Sequence, residues 1–276
     1  MPELPEVECL TRAVSATIDG FTCDGVDFYR DDIREPIPKK KLLQVLVGRK
    51  IERVYRRSKY LLIETQAGTA IVHLGMTGNL LAADGPEPRA KHTHVVFCFK
   101  KGSQKIYLQY VDPRRFGRIS AATPAEFREH EWFTVLGPEP LDERGLGAHL
   151  FAASRKKSTP VKAFLMDPAV VVGVGNIYAC ESLFLSGINP LRKASALTAG
   201  EYDEIASAIK KVLKNAIKAG GTTFRDFRNS DGSSGYFRVE LKVYDQAKNP
   251  CVKCGKDIKM ERISGRSTFF CAFCQT

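Results

Sequence analysis

The C-terminal stretch restricts the possible folds more than any other part of this chain. It reads Cys251-Val252-Lys253-Cys254, then sixteen residues, then Cys271-Ala272-Phe273-Cys274. Two C-x-x-C knuckles at this separation match a tetrahedral structural zinc held by four thiolates. A redox pair or an iron–sulfur centre is the alternative reading. Four thiolates leave no open coordination position, so the zinc would hold the fold and do no chemistry. From Leu241 onward, Lys242, Lys248, Lys253, Lys256, Lys259, Arg262 and Arg266 face only Asp245, Asp257 and Glu261, a net charge of +4. Between the knuckles lies Gly265-Arg266-Ser267-Thr268, where a glycine turn would push Arg266 outward for bidentate phosphate contact. A merely solvated arginine is the plainer reading.

The charge excess is global. Forty-two lysines and arginines against 31 acids give a formal +11, which points to a polyanion. Nucleic acid is the first candidate and an anionic membrane surface the second. No apolar run approaches the ~18 residues of a membrane span. The N-terminus is acidic and lacks the apolar core of a signal peptide. A cytoplasmic, nucleoid-associated location is expected, with Cys9, Cys23, Cys98 and Cys180 as reduced thiols.

Along 276 residues there is room for two domains with real cores. The part up to residue 134 is strand-rich. Alternating and β-branched residues fill Lys50–Thr65, and Gln66-Ala67-Gly68-Thr69 turns the chain into Ala70–Leu74. His94–Phe99 and Ile106–Tyr110 flank a hairpin turn at Lys100-Lys101-Gly102-Ser103. Leu136-Gly137-Pro138-Glu139-Pro140-Leu141 reads as a linker region. Helices then dominate: one over Ile177–Ser186, bounded by Asn176 and Gly187, and one behind the capping box Thr198-Ala199-Gly200-Glu201. In the latter, Ile205, Ile209, Val212, Leu213 and Ile217 form one apolar stripe, and Gly220-Gly221 stops the helix. Thr222–Gly235 is polar and glycine-containing, a long loop. The expected division is 1–134, 135–240 and 241–276.

Several groups carry candidate chemistry. The chain opens Met1-Pro2-Glu3-Leu4-Pro5-Glu6-Val7-Glu8. With Met1 removed, Pro2 is a secondary amine, and an α-amine with a reference pKa of ~7.7–8.0 is partly neutral near pH 7. It can attack an aldehyde-like carbon and form an iminium, a cationic electron sink. Glu3 beside it can move protons. Alternatively, Pro2 simply opens the first turn of an acidic-capped helix. Arg53, Arg56, Arg57 and Lys59 crowd one strand region with Tyr55 and Tyr60 between them. They form a solvated sheet face or a surface tracking a phosphate backbone. Asp112-Pro113-Arg114-Arg115-Phe116-Gly117 offers a cation and an aromatic wedge on a turn, and Met76 sits on a glycine-bounded loop. A buried Phe and a core Met are the ordinary readings. Gly173-Val174-Gly175-Asn176 lacks the third glycine of a dinucleotide fingerprint but feeds a helix start, where backbone N–H groups bind a phosphate. His92 and His94 have metal-like spacing without an apparent third ligand, and phosphate contact is the simpler role.

In this order, these pieces resemble the formamidopyrimidine-DNA glycosylase family across essentially the whole chain. Besides the segments above, the markers are Ser58-Lys59-Tyr60-Leu61, His73-Leu74-Gly75-Met76-Thr77-Gly78, Lys91-His92-Thr93-His94, Gly220-Gly221-Thr222-Thr223 and Asp231-Gly232 with Gly235-Tyr236-Phe237. Leu4, where the endonuclease VIII branch has glycine, resembles the oxidised-purine branch. The resemblance implies an α+β multidomain protein: an N-terminal antiparallel β-sandwich flanked by helices, a helical helix–two-turn–helix (H2TH) domain and a C-terminal four-cysteine zinc finger. It implies a monomer that binds damaged double-stranded DNA, with no membrane or obligate protein partner, and one structural Zn2+. The implied activity is a bifunctional glycosylase and abasic-site lyase of base excision repair. Pro2 would be the nucleophile and Glu3 the general acid/base, supported by Glu6. Lys59 would assist β-elimination and Arg266 δ-elimination. Met76, Arg114 and Phe116 would fill the hole left by the flipped base. His92, Lys157, Lys162 and Asn176 would hold phosphates, and the loop with Thr222, Thr223 and Tyr236 would close over the lesion. A pyrimidine-preferring relative and a non-catalytic DNA-binding protein are the competing readings. Thr93, Asp167-Pro168, Cys180 and Asp245 depart from the family pattern, the last where glycine is usual.

Overall fold

The computed structural model describes residues 2–85, 87–220 and 241–276. The chain divides into two compact units: the first takes Met1–Thr134 with Gly220–Phe237, and the second takes Val135–Ala219 with Arg238–Thr276, which holds the four-cysteine tail. The loop expected at Thr222–Gly235, with Thr222, Thr223 and Tyr236 of the lesion loop, lies outside the described residues.

The first unit is a sandwich of two antiparallel four-stranded sheets. One has the order β1-β6-β7-β5, built from Thr22–Phe28, Thr93–Lys101, Gln104–Val111 and Asn79–Ala83. The other is β2-β3-β4-β8, from Ile51–Arg57, Tyr60–Thr65, Gly68–His73 and Arg118–Ala122. Helices α1 (Leu4–Ile18) and α2 (Lys39–Leu46) join the core. In α1, Val7, Leu10, Val14 and Ile18 recur at helical spacing and enter the same cluster as Leu42, Val45 and Leu46 of α2. Strands β3 and β4 show how period-2 side-chain geometry fills two cores at once. Leu61, Ile63, Ala70 and Val72 point into the sandwich. Leu62 and Ile71 point to the other face, against Trp132, with Phe127 and Phe133 packed around. Those aromatics come from the short helices α3 (Pro124–Arg128) and α4 (Glu131–Thr134). Both faces are therefore covered, and the strands read as nearly continuous apolar runs.

The expected stretch Lys50–Thr65 is not one strand. It folds at Ser58-Lys59 into the β2–β3 hairpin, with Arg57 opposite Tyr60. Ser58 takes φ +55, the positive value that a two-residue hairpin needs at its first central position. The hairpin expected around Gly102-Ser103 forms between β6 and β7.

The second unit packs α5 (Leu146–Ser154), α6 (Val161–Leu165), α7 (Asn176–Ser186) and α8 (Ala199–Lys218) with the hairpin β9–β10 (Lys259–Ile263, Arg266–Phe270). Helix α7 is its axis, buried continuously from Ile177 to Phe184 and ended by Gly187 at φ +74. Helix α8 carries the expected capping box, with Thr198 accepting the Glu201 N–H. In its stripe, Ile205, Ile209 and Leu213 are fully buried, while Val212 and Ile217 lie at the margin.

The zinc-finger tail forms no separate core. Cys180 and Phe184 of α7 cluster with Val243, Cys251, Ile258, Phe269 and Cys271. Glu181, itself buried, accepts the backbone N–H groups of Lys242, Val243 and Tyr244. Burial pushes its carboxyl above the ordinary value, opposed by those three donors. Cys180 thus packs as a small hydrophobe, and Asp245 adopts φ +61, a left-handed conformation that glycine takes without strain.

Candidate active site and nucleic-acid interface

Pro2 lies outside the first helix. The N-cap is Glu3, and the proline of the first turn is Pro5. Helix initiation therefore accounts for Pro5 and leaves Pro2 unexplained. Glu3 is only 3% exposed, and Glu6 closes a capping box by accepting the Glu3 N–H at 2.8 Å. The carboxylate-rich start of α1 is thus rigid, and the helix N-terminus favours the negative charge.

Arg56 links this helix to the turn carrying Lys59. Its Nε donates to Glu8 of α1 at 2.9 Å and a guanidinium NH donates to the Ser58 carbonyl at 2.9 Å. Two arginines, Arg12 and Arg56, hold the Glu8 carboxyl below its usual range, although burial acts the other way. The residue after Lys59 anchors the far side of the turn. Tyr60 stacks on Trp132 at 5.5 Å and contacts His73 at 5.0 Å. Lys59 therefore sits on a two-residue turn pinned at both ends.

His73, which the sequence marks only as the start of a family motif with no role of its own, pairs with Tyr60 across the sheet. Its Nδ1 accepts the Gly75 N–H at 3.1 Å, so the neutral ring carries its proton on Nε2. Burial first, then the cations Lys59, Arg118 and Arg34, lowers it to about 4. A polar residue closing an apolar strand was the available signal.

Met76 and Phe116 are among the exposed large hydrophobics, 41% and 40% exposed. The Arg114 guanidinium lies over the Phe116 ring at 4.8 Å. The core reading of Met76 and the buried-Phe reading of the turn are both excluded. His92 is exposed and left-handed at φ +66. His94 is not at the surface: it is buried, with Nε2 bonded to the Asp112 carbonyl at 2.8 Å. The phosphate contact expected of this pair can come only from His92, and no third metal ligand joins them among the described residues.

In the second unit, Lys157 and Arg266 are exposed. Arg266 begins β10 after Ser264 and Gly265, both at positive φ, as the glycine turn implied. Lys162 departs from expectation. It is 1% exposed, and its Nζ donates to Asn176 Oδ1, to Thr268 Oγ1 at 2.7 Å and to the Ser267 carbonyl at 3.2 Å. Three acceptors match the three donors of an ammonium. Lys162 cannot grip a phosphate from there; it ties α6 to the start of α7 and to the Arg266 hairpin. Asn176 completes the tie by donating to the Ser267 carbonyl at 2.9 Å.

The four cysteine sulfurs lie within 4.8 Å of one another, with Cys251–Cys274 at 3.9 Å and Cys254–Cys271 at 3.5 Å. A tetrahedron with metal–sulfur bonds of ~2.3 Å has edges of ~3.8 Å, so the cluster fits a tetrathiolate metal site. On their own the neighbouring sulfurs, Cys254 first, push the Cys274 thiol up to about 12; four thiolates coexist only around a dication.

Three family models match the chain: the formamidopyrimidine-DNA glycosylase N-terminal domain over residues 1–119, its H2TH domain over 136–228, and the zinc finger found in FPG and IleRS over 248–276. The formamidopyrimidine-DNA glycosylase of Vibrio cholerae serotype O1 is 48% identical over 275 residues, with 100% of both chains covered. The chain belongs to the formamidopyrimidine-DNA glycosylase family. Among solved family structures, a Lactococcus lactis FPG mutant in complex with a Fapy-dG containing DNA superposes with a TM-score of 0.89, at 30% identity and full coverage of both chains. The MutM (FPG) protein of Thermus thermophilus gives 0.85 at 35% identity, covering 99% of this chain and 98% of that one. The fold is thus the one the resemblance implied: β-sandwich, helical H2TH region and C-terminal zinc finger. Among the described residues no helix is long and apolar enough to cross a membrane.

Proposed function

We propose that this glycosylase-family protein is a bifunctional enzyme that removes oxidised purines, 8-oxoguanine and formamidopyrimidines, from duplex DNA and then cleaves the strand. The observation that carries the reading is Pro2 standing just outside α1, beside a Glu3 that is 3% exposed. Once Met1 is removed, the Pro2 nitrogen attacks C1′ of a nucleotide flipped out of the stack, since the reacting carbon is inaccessible within it. The base leaves with the glycosidic electron pair. Glu3 delivers a proton to the sugar ring oxygen as the ring opens, and the nitrogen is left as an iminium. The iminium acidifies the C2′ hydrogen. Loss of that proton expels the 3′ phosphate, and a second elimination expels the 5′ phosphate. Water then hydrolyses the iminium and restores the amine. Lys59, on its pinned turn, assists the first elimination, and Arg266 neutralises phosphate during the second. Glu6 keeps Glu3 in place through the capping box.

Met76, Arg114 and Phe116 occupy the vacated space in the duplex, with Arg114 toward the opposite base. His92, Lys157 and Asn176 bind phosphates, the last aided by the α7 N-terminus. Zn2+ is the metal best suited to Cys251, Cys254, Cys271 and Cys274. It fixes the hairpin that presents Arg266 and takes no part in the chemistry. The enzyme acts as a monomer in the cytoplasm, on nucleoid DNA.

Borohydride trapping tests the reading. Protein with Met1 removed, verified by intact mass, is mixed with a duplex bearing 8-oxoguanine opposite cytosine and reduced. The expected product is deoxyribose bonded to Pro2, lost in Pro2→Gly while DNA binding remains. Deoxyribose on another side chain overturns the mechanism. No adduct from verified protein supports a DNA-binding module without catalysis.

A further inference from the structure

The loop that carries Met76 and the turn that carries Arg114 and Phe116 converge on one buried carboxylate. Asp112 is 0% exposed. Its Oδ1 accepts the Thr77 hydroxyl at 2.5 Å. Its Oδ2 accepts the Gly117 N–H at 2.8 Å and the Tyr110 hydroxyl at 3.4 Å. Thr77 Oγ1 in turn accepts the Arg114 N–H at 3.3 Å. The Asp112 backbone adds three more ties. Its N–H donates to the His92 carbonyl at 3.1 Å, and its carbonyl accepts the Arg115 N–H at 3.2 Å and bonds the His94 ring at 2.8 Å.

Packing leaves this arrangement no slack. A Cβ on Gly75 would lie 2.3–2.5 Å from the backbone of Phe116 and Gly117. One on Gly117 would lie 1.7 Å from the Tyr110 hydroxyl and 2.8 Å from the His73 carbonyl. The Met76 loop and the Arg114–Phe116 turn therefore move as one body, and Asp112 is the polar centre of that body. Hydrogen bonds to an ionised acceptor are about twice as strong as neutral ones. Asparagine is a poorer replacement here: with its oxygen kept on the Gly117 and Tyr110 donors, its amide would donate to Thr77 Oγ1, and the Thr77 hydroxyl would lose the carboxylate it donates to.

We infer that Asp112 is a positioning residue for opposite-base discrimination: through Thr77 and Gly117 it sets where Met76, Arg114 and Phe116 enter the duplex. The inference rests on the proposed function, because the three side chains matter to discrimination only if they fill the space left by a flipped base. Asp112 itself touches no reacting atom in this scheme. A displaced Arg114 would lose its contact with the correct opposite base, whereas the Pro2 chemistry would continue on whatever nucleotide reached it. A small misplacement of an orienting group is enough to cost much of its effect.

The test compares single-turnover excision of 8-oxoguanine opposite dC and opposite dA by the wild-type, Asp112→Asn and Thr77→Val proteins. Borohydride trapping counts active molecules in each preparation. The dC-to-dA rate ratio is then independent of how much protein is folded, so a merely structural role leaves it unmoved. Asp112→Asn should narrow the ratio about tenfold, the equivalent of 1.4 kcal/mol. Thr77→Val, which keeps the carboxylate and its Gly117 bond, should narrow it about two- to threefold, on the order of 0.5 kcal/mol. A wild-type ratio in Asp112→Asn overturns the inference. If that variant fails to fold, a wild-type ratio in Thr77→Val overturns it instead. A wild-type protein that forms no trapped adduct refutes the functional reading itself, a result separate from an unchanged ratio in protein that does trap.

Discussion

Replacing Lys162 with methionine separates two roles for a lysine that the family resemblance places on phosphate and the fold places in the interior. The side chain is 1% exposed, and its Nζ meets Asn176 Oδ1, Thr268 Oγ1 and the Ser267 carbonyl. Hydrogen bonds from a charged donor contribute about 1.5–3 kcal/mol each, so the gross loss from three would be about 4.5–9 kcal/mol. Three features reduce it. The Ser267 carbonyl keeps its bond from Asn176. Thr268 keeps its bond to the Arg266 carbonyl at 3.3 Å. Methionine also removes the cost of burying an ammonium. A net destabilisation of about 2–3 kcal/mol remains. Urea unfolding followed by a probe in the second unit should show it as a lower midpoint with an unchanged slope. A direct phosphate contact makes the opposite forecast: unchanged stability, with the slope of log K against log salt reduced by about 0.9. Wild-type stability combined with that reduced slope would refute the buried-tether account.

Three further outcomes are expected. Stripping the metal with a chelator should unfold the four-cysteine region and weaken DNA binding, because thiolate–metal binding is coupled to folding; equal melting and affinity in verified metal-free protein would contradict a structural site. Asp245→Gly should raise the stability of the second unit by about 0.5–1 kcal/mol in thermal unfolding, since a non-glycine residue at φ +61 carries a left-handed penalty of about 1–2 kcal/mol, less for Asp. His73 is held down to about 4 in the fold and titrates near 6.5 when unfolded, so the unfolded chain binds the extra proton first as pH falls. Its contribution is fully present above pH 6.5 and lost between 6.5 and about 4. The full difference would be about 3 kcal/mol, trimmed to about 2 by the solvent that still reaches the ring. The pH dependence of unfolding should flatten by that amount in His73→Asn, and identical profiles would remove His73 as its source.

What this chain's sequence determined alone is what short-range chemistry decides. Two C-x-x-C pairs bring thiolates together because each knuckle is one tight turn. The Thr198–Glu201 box and Gly187 set helix ends, since their partners lie within a few residues. Gly265 turns Arg266 outward for the same local reason. Tertiary structure decided whatever depends on which distant segment comes alongside. The polar run Arg56-Arg57-Ser58-Lys59 interrupts the apolar alternation but carries no glycine or asparagine to mark a reversal, and the hairpin forms because Tyr60 and Arg56 find partners on other elements. Lys162 and Asp112 look like surface residues of polar motifs. The fold buries both, because each meets donors or acceptors from segments far along the chain, Thr268 for one and Thr77 for the other. Burial of a charge is a property of its surroundings, and no count of neighbours along the sequence supplies them.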